Sequence, residues 1–237
     1  MTQGCTISGI AATLDDVYGP RRWRSHGEPL DELIGTVLSQ HTSDINTERA
    51  FRSLKGRFPT WEEVRVAPTG EVAEAIRSGG LAQIKAPRIQ RILEILREER
   101  GELSLDWILG LPVAEARAAL MALPGVGPKT ASCVLLFSLG LPAMPVDTHV
   151  HRLSLRLGLA PPKTSADAAH TLIEGLVGAD RDAVYALHLN LIAHGKAICI
   201  ARNPRCGICP LQECCDYYRT QTRTDRDRAL DEPGPRA

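Results

Sequence analysis

Four cysteines near the end of the 237-residue chain, Cys199, Cys206, Cys209 and Cys215, are spaced Cys-x6-Cys-x2-Cys-x5-Cys. Four thiolates within 17 residues can wrap one metal centre, because soft sulfur ligands select zinc, copper(I) or an iron–sulfur cluster. About 70 residues upstream stands a second pattern, Leu123-Pro124-Gly125-Val126-Gly127-Pro128-Lys129-Thr130-Ala131. Glycines at 125 and 127 allow positive φ and close approach of another backbone. The N–H groups of such a turn, with the N-terminus of the helix that follows, face outward in a way that suits a phosphate. Pro128 fits the first helical position, where its missing N–H costs nothing. A hairpin of this kind between two helices anchors DNA without reading its bases.

Lys129 lies one residue into the second helix of that hairpin. It could merely pair with phosphate; as a nucleophile, an amine in a dry, positive setting can shed its proton and attack an electrophilic carbon. Asp147, 18 residues further on in Pro145-Val146-Asp147-Thr148-His149, could return over Lys129 across the intervening helix and turn. A carboxylate there could stabilise the cationic sugar that develops when a glycosidic bond breaks, or help deprotonate the amine. Asp147 is also a natural N-cap for the next helix.

The elements that must hold these groups read as helices. Hydrophobic residues make up 43% of the chain and aromatics 4%, Leu and Ala dominate, and long Val/Ile/Tyr alternations are missing. A short helix is expected around Ile10 to Val17. Pro29 opens another, with Leu30, Leu33, Ile34, Val37 and Leu38 on one face, and a polar break follows at Ser39 to Ser43. Asp44 is expected to cap the next helix, which ends near Gly56. Arg88 to Arg100, after Pro87, carries an apolar stripe of Ile89, Ile92, Leu93 and Leu96 and stops at Gly101. Further helices are expected at Val113 to Ala122, Pro128 to about Leu139, Thr148 to Leu157, Ser165 to Val177 and Arg181 to Ala193. Thr164 with Asp167, and Asp180, serve as start signals.

Lys and Arg together balance Asp and Glu, 28 against 28. DNA binding therefore requires segregated charge. Residues 116 to 166 carry Arg117, Lys129, Arg152, Arg156 and Lys163 against one acid, Asp147, while Lys196, Arg202 and Arg205 stand in an acid-free stretch from Ala183 to Gln212. No basic stretch followed by an apolar run marks the N-terminus, and no 18-residue apolar span exists, so a cytoplasmic, nucleoid-associated protein is expected. In such a setting clustered cysteines read as metal ligands rather than a disulfide framework. Of the three others, Cys133 reads as core, Cys5 is unassigned, and Cys214 could compete with Cys215 for the fourth ligand place. By spacing alone, zinc and an iron–sulfur cluster both fit the cage.

Taken together, the chain resembles the endonuclease III family of DNA glycosylases. The resemblance covers roughly residues 28 to 218 and rests on Leu38-Ser39-Gln40-His41-Thr42-Ser43-Asp44, Gly80-Leu81, Lys85-Ala86, the hairpin, Val146-Asp147-Thr148-His149, His194-Gly195-Lys196 and the cysteine loop with Ile200-Ala201-Arg202. It implies an all-α, two-domain fold: a six-helix barrel over 28–141 and a cluster domain from 1–27 and 142–218; the polar, charged stretch over 219–237, ending Pro-Gly-Pro-Arg-Ala, is expected by its composition to be a disordered tail. It implies a [4Fe-4S] cofactor on Cys199, Cys206, Cys209 and Cys215. Lys129 would attack C1′ of the damaged nucleotide and form a Schiff base, Asp147 would be its partner, and β-elimination would nick the strand.

DNA contacts would come from Gln40, His41, Leu81, Gly125, Val126, Gly127, His149, Lys196, Arg202 and Arg205, and the substrate pocket from Ser39, Asp44 and His149. The family commonly has Gln where His41 stands, so His41 could wedge into the duplex or contact the estranged base. Asn203 stands where Lys is frequent, which implies one phosphate contact fewer. The expected partner is duplex DNA with a damaged base or abasic site, bound by a monomer, and the expected substrate an oxidised pyrimidine of the thymine glycol type. The rival readings are a monofunctional glycosylase of the same superfamily and a non-catalytic iron–sulfur protein that binds DNA or senses redox state. The first generally lacks Lys at position 129, and the second needs neither Lys129 nor Asp147.

Overall fold

The computed structural model describes residues 6–221. Among these every regular element is helical: α1 (Ile7–Tyr18), α2 (Pro29–Ser39), α3 (Asp44–Arg57), α4 (Trp61–Val66), α5 (Thr69–Ala75), α6 (Ala82–Arg100), α7 (Val113–Met121), α8 (Pro128–Cys133), α9 (Thr148–Arg156), α10 (Ala166–Val177) and α11 (Arg181–Ala197), with short 3-10 turns between some of them. No described helix is long and apolar enough to cross a membrane.

The helices fall into two compact units. One spans Arg24–Pro145; the other joins the N-terminal stretch through Trp23 to the chain from Val146 onward. The Arg24–Pro145 unit holds α2 to α8 around a core that includes Leu33, Ile34, Val37, Leu38, Leu54, Ile89, Ile92, Leu93, Leu135 and Ala143. Its helices are the product of local signals. Pro29 occupies the first turn of α2, with Asp31 and Glu32 beside the positive helix end. Thr60 and Glu63 form a reciprocal capping box for α4. Helix α6 ends on Gly101 at φ 74°.

The second unit packs α1, α9, α10 and α11 through Ile10, Leu14, Val150, Leu153, Ile173, Val184 and Leu191, all fully buried. The N-terminal stretch is tied to α11 by polar contacts as well. Arg21 Nε donates to Asn190 Oδ1 at 2.6 Å, Asn190 Nδ2 donates to Asp15 at 2.7 Å, and the Trp23 N–H donates to Asp182 at 2.7 Å.

Several local expectations change. Ser43, not Asp44, caps α3, its side chain accepting from the Asn46 N–H; Asp44 is the first helical residue. Ser165 caps α10 in place of Thr164. Helix α6 begins at Ala82, five residues before Pro87, which therefore sits inside it. The proline lacks only the N–H that would reach Gln83, and the apolar face beyond it carries the helix through. Two short helices, α4 and α5, carry too little periodicity to be seen in the sequence. Helix α8 does not run on regularly but opens into a π turn over Val134–Ser138. Residues 216–221 are helical, so the first positions of the expected tail continue a helix; the rest of that tail and Cys5 lie outside the described residues.

Candidate functional site

The hairpin occupies the Arg24–Pro145 unit between α7 and α8. Gly125 has φ 75°, the left-handed conformation that favours glycine. Gly127 does not need that freedom: its φ of −96° and ψ of 179° are extended backbone open to any residue. Gly125 has a second reason to lack a side chain. A Cβ there would lie 2.4 Å from the Cδ and Nε of Arg88. Arg88, from α6, lies flat against the turn and donates from Nη1 to Gln40 Oε1 at 3.1 Å. Gln40 Nε2 in turn donates to the Gly125 carbonyl at 3.1 Å. The hairpin is thus braced from beneath by a side chain of α6 and one from the end of α2. Gln40's amide bonds within the unit on both its atoms, a role the sequence did not disclose. Val126 is buried and makes the turn's apolar floor.

Lys129 is the second residue of α8 and is partly exposed. Glu32 of α2 stands within its electrostatic reach. Burial raises the Glu32 carboxyl above the usual range, opposed by a hydrogen bond from Thr36 and by the charge of Lys129. The Thr36 hydroxyl donates to Glu32 Oε1 at 3.3 Å, and His26 Nδ1 lies 3.8 Å from Oε2.

Two more expected residues of this unit stand out by backbone. His41 and Leu81 are both in the left-handed region, φ 56° and φ 50°, where a side chain other than glycine is uncommon. Both are exposed, Leu81 at 49%. Ser39 is half-buried, its hydroxyl donating to the Thr36 carbonyl at 2.8 Å, and Asp44 is exposed at the start of α3.

In the second unit Asp147 is the N-cap of α9. Its Oδ1 accepts from the N–H groups of His149 at 2.9 Å and Val150 at 2.8 Å. Those bonds fix the carboxylate at the positive end of the helix and leave Oδ2 as its second acceptor. The residue before it is pinned too: the Val146 N–H donates to Nε2 of buried His170 at 3.1 Å. His149 Nδ1 lies 3.0 Å from Arg152 Nη2, which also donates to the Gly195 carbonyl at 2.9 Å. A Cβ on Gly195 would lie 2.7 Å from His149 Nδ1, so the glycine is what lets the imidazole lie against α11. Lys129 and Asp147 belong to separate units.

The four expected ligand cysteines are all free thiols and line one pocket, with Arg156, Ile198, Pro204, Gln212, Tyr217 and Tyr218. Cys214 is not among the residues that line this pocket. The pocket wall supplies donors to sulfur. Arg156 Nη1 donates to Cys199 Sγ at 3.2 Å, the Tyr218 N–H to Cys215 Sγ at 3.4 Å, and His194 Nε2 lies 3.4 Å from Cys209 Sγ. The Tyr18 hydroxyl lies 3.0 Å from the other ring nitrogen, Nδ1, and burial lowers His194 to about 4, so the ring is neutral at physiological pH. Burial pushes the Cys209 thiol up to about 11 and raises Cys206 and Cys215 as well, with neighbouring thiols adding to each. Among the described residues no three His, Cys, Asp or Glu side chains converge as they would on a single ion. What the pocket does offer is four thiols from one loop, the soft sulfur donors that a metal centre would call on.

The loop between Cys199 and Cys206 is shaped by the same arginine. Arg156 Nη1 and Nη2 donate to the carbonyls of Ile200 at 2.8 Å and Ala201 at 3.0 Å. Asn203 takes φ 52° at its tip, a conformation Asn tolerates better than Lys, which accounts for its presence there. Arg202, Arg205 and Lys196 are exposed.

Comparison with known proteins agrees with this arrangement. Residues 34–178 match the model of the HhH-GPD superfamily of base excision DNA repair proteins. Endonuclease III of Thermotoga maritima is 36% identical over 211 residues, 86% of this chain and 93% of that protein. An Arabidopsis thaliana protein that carries a provisional DNA glycosylase name is 43% identical over 167 residues, 70% of this chain, which spans about half (56%) of that protein's length. Among solved structures, a non-covalent endonuclease III–DNA complex matches with a TM-score of 0.76 at 30% identity, over 93% of this chain and 100% of that one. A trapped endonuclease III–DNA covalent intermediate matches with a TM-score of 0.75 at 29% identity, over 92% and 100%. The chain belongs to the HhH-GPD superfamily of base excision DNA repair proteins and, within it, to the endonuclease III family of DNA glycosylases. Its fold is the all-α fold of that family.

Proposed function

We propose that this protein removes oxidised pyrimidines of the thymine glycol type from duplex DNA and then cleaves the abasic strand, with Lys129 as nucleophile and Asp147 as its acidic partner. The observation that carries this reading is the placement of Lys129: an amine at the second position of α8, directly after a turn held rigid by Gln40 and Arg88. The hairpin and the start of α8 bind the strand by its phosphates. The target nucleotide leaves the stack, because its sugar carbon is out of reach inside a duplex. His41 and Leu81 are the residues that fill or border the gap. The Lys129 amine forms a bond to C1′ as the glycosidic bond breaks and the base departs with the bonding pair. Ring opening gives the Schiff base, loss of a C2′ proton expels the 3′ phosphate, and hydrolysis frees the enzyme. Asp147 stabilises the positive charge that develops on the sugar.

Cys199, Cys206, Cys209 and Cys215 would hold a [4Fe-4S] cluster, and what it supplies is structural: it fixes the Cys199–Cys206 loop so that Arg202 and Arg205, with Lys196 nearby, meet phosphates. The relatives whose names and complexes read endonuclease III support duplex DNA as the partner. The test is incubation with duplex DNA containing thymine glycol and borohydride. A covalent protein–DNA adduct and a nicked strand are expected. Base release without an adduct would make the enzyme monofunctional, and neither product would make it a binding protein.

A further inference from the structure

The most deeply buried charged side chain described in the protein has no part in the chemistry above. Lys85, on α6, is 1% exposed, yet among the described residues no acid pairs with its ammonium. Nζ donates instead to two backbone carbonyls, Leu38 at 2.7 Å and Gly79 at 2.9 Å. Leu38 belongs to the last turn of α2 and Gly79 ends a 3-10 turn, so both carbonyls sit where regular helical bonding runs out. One amine at the end of a four-carbon stem satisfies both. Burial, with Arg88 nearby, lowers the Lys85 pKa, but an amine can donate in either protonation state.

The two carbonyls have a common address. Leu38 is three residues before His41, and Gly79 is two before Leu81, the two exposed side chains held in left-handed backbone. The Leu81 carbonyl itself is taken by the first helical bond of α6, from the backbone N–H of residue 85 at 2.9 Å. The loops are also in contact beneath: a Cβ on Gly79 would stand 3.1 Å from Ala50 Cβ and 3.8 Å from the Leu38 carbonyl oxygen.

We infer that Lys85 is a positioning residue that clamps the His41 loop and the Leu81 loop at one fixed separation, so that both side chains enter the duplex together when the damaged nucleotide leaves it. The inference rests on the proposed base excision and goes beyond it in assigning a residue that touches neither substrate nor reacting atoms. A clamp of this kind matters because the base stack accepts a wedge only where a gap opens, and two wedges that drift apart cannot fill one gap.

The test uses Lys85→Met, which keeps the stem and removes the donor, with Lys85→Gln as a second variant that retains an N–H donor. Single-turnover release of thymine glycol is measured on two duplexes, one with adenine opposite the lesion and one with no base opposite, where nothing is estranged. Lys85→Met is expected to slow release about tenfold on the first duplex and within about twofold on the second, with Lys85→Gln between wild type and Lys85→Met. In the double variant Lys85→Met/Leu81→Ala the rate on the first duplex should match that of Leu81→Ala alone within about twofold, because a clamp has no effect once its wedge is gone. Equal slowing on both duplexes, or effects that multiply in the double variant, would overturn the clamp and leave a residue needed only for folding. If Lys85→Met does not fold, the same comparison on Lys85→Gln decides. A wild-type chain that releases no base from either duplex would overturn the proposed activity and this inference with it, whereas an active wild type with an unaffected Lys85→Met overturns the inference alone.

Discussion

Gln40 Nε2 donates to the Gly125 carbonyl at 3.1 Å, joining the end of α2 to the hairpin across 85 positions of sequence. The same side chain accepts from Arg88, whose guanidinium lies against the Cα of Gly125. The turn that presents Lys129 is therefore no loose loop but the top of a three-residue stack. Breaking the stack should loosen the turn without touching the amine.

Gly125→Ala introduces a Cβ at φ 75° and 2.4 Å from Arg88. Strain and displacement of that side chain together should cost about 1–3 kcal/mol, a fall of roughly 2–12 °C in Tm for a chain of this size. Duplex affinity should fall with it. Calorimetry and a salt-matched binding titration check both, and Gly127→Ala, at an extended position, should show a much smaller loss of stability.

Asp147 combines two roles that substitution can separate. Asparagine caps a helix as well as aspartate, so Asp147→Asn should leave the free energy of unfolding within about 1 kcal/mol of wild type. Without the charge, base release should slow by about 100-fold or more. Asp147→Ala should lose both. Thermal melts and single-turnover rates on one set of preparations make the comparison.

Glu32 sets a pH dependence of stability. Its folded-state pKa is raised by burial above the unfolded value, so the folded chain holds the extra proton and loses stability as pH rises through that window. Glu32→Gln should therefore be more stable than wild type at neutral pH, and the difference should vanish below the ordinary Glu range, under about pH 4. Denaturant melts across this range test it; a pH-independent difference would show that the carboxyl is not the source.

The four-thiol pocket should carry about four irons and four sulfides per chain. Cys209→Ser or Cys215→Ser should lower both and bleach the visible absorption, while Cys133→Ala, buried in the other unit, should leave them unchanged. Stripping the metal should lower Tm, because binding energy at such a site is folding energy. Metal and sulfide analysis beside calorimetry reads all three.

Much of this was legible in the sequence for local reasons. The hairpin, the cysteine spacing and Val-Asp-Thr-His are contiguous, and each residue type carries its own chemistry. Asp147 as a cap and Pro29 as a helix opener follow from positions beside helix starts. What the sequence concealed depends on distant partners. Lys85 stands in the sequence only as part of the resemblance, and its burial shows when Leu38 is seen 47 positions away; the bonds of Gln40 to Gly125 and Arg88 are likewise invisible in sequence. His170, which pins the backbone before Asp147, has no neighbour in sequence to suggest that it does so. Pro87 misplaced the start of α6 because a proline inside a helix is decided by packing, not by the local pattern.

The central claim is that the Lys129 amine reacts with sugar carbon. Borohydride trapping on a thymine glycol duplex, run beside Lys129→Ala, tests it most directly. The account requires a covalent adduct with wild type, none with the variant, and loss of strand cleavage at abasic sites. A Lys129→Ala protein that still nicks abasic DNA as fast as its parent would contradict it.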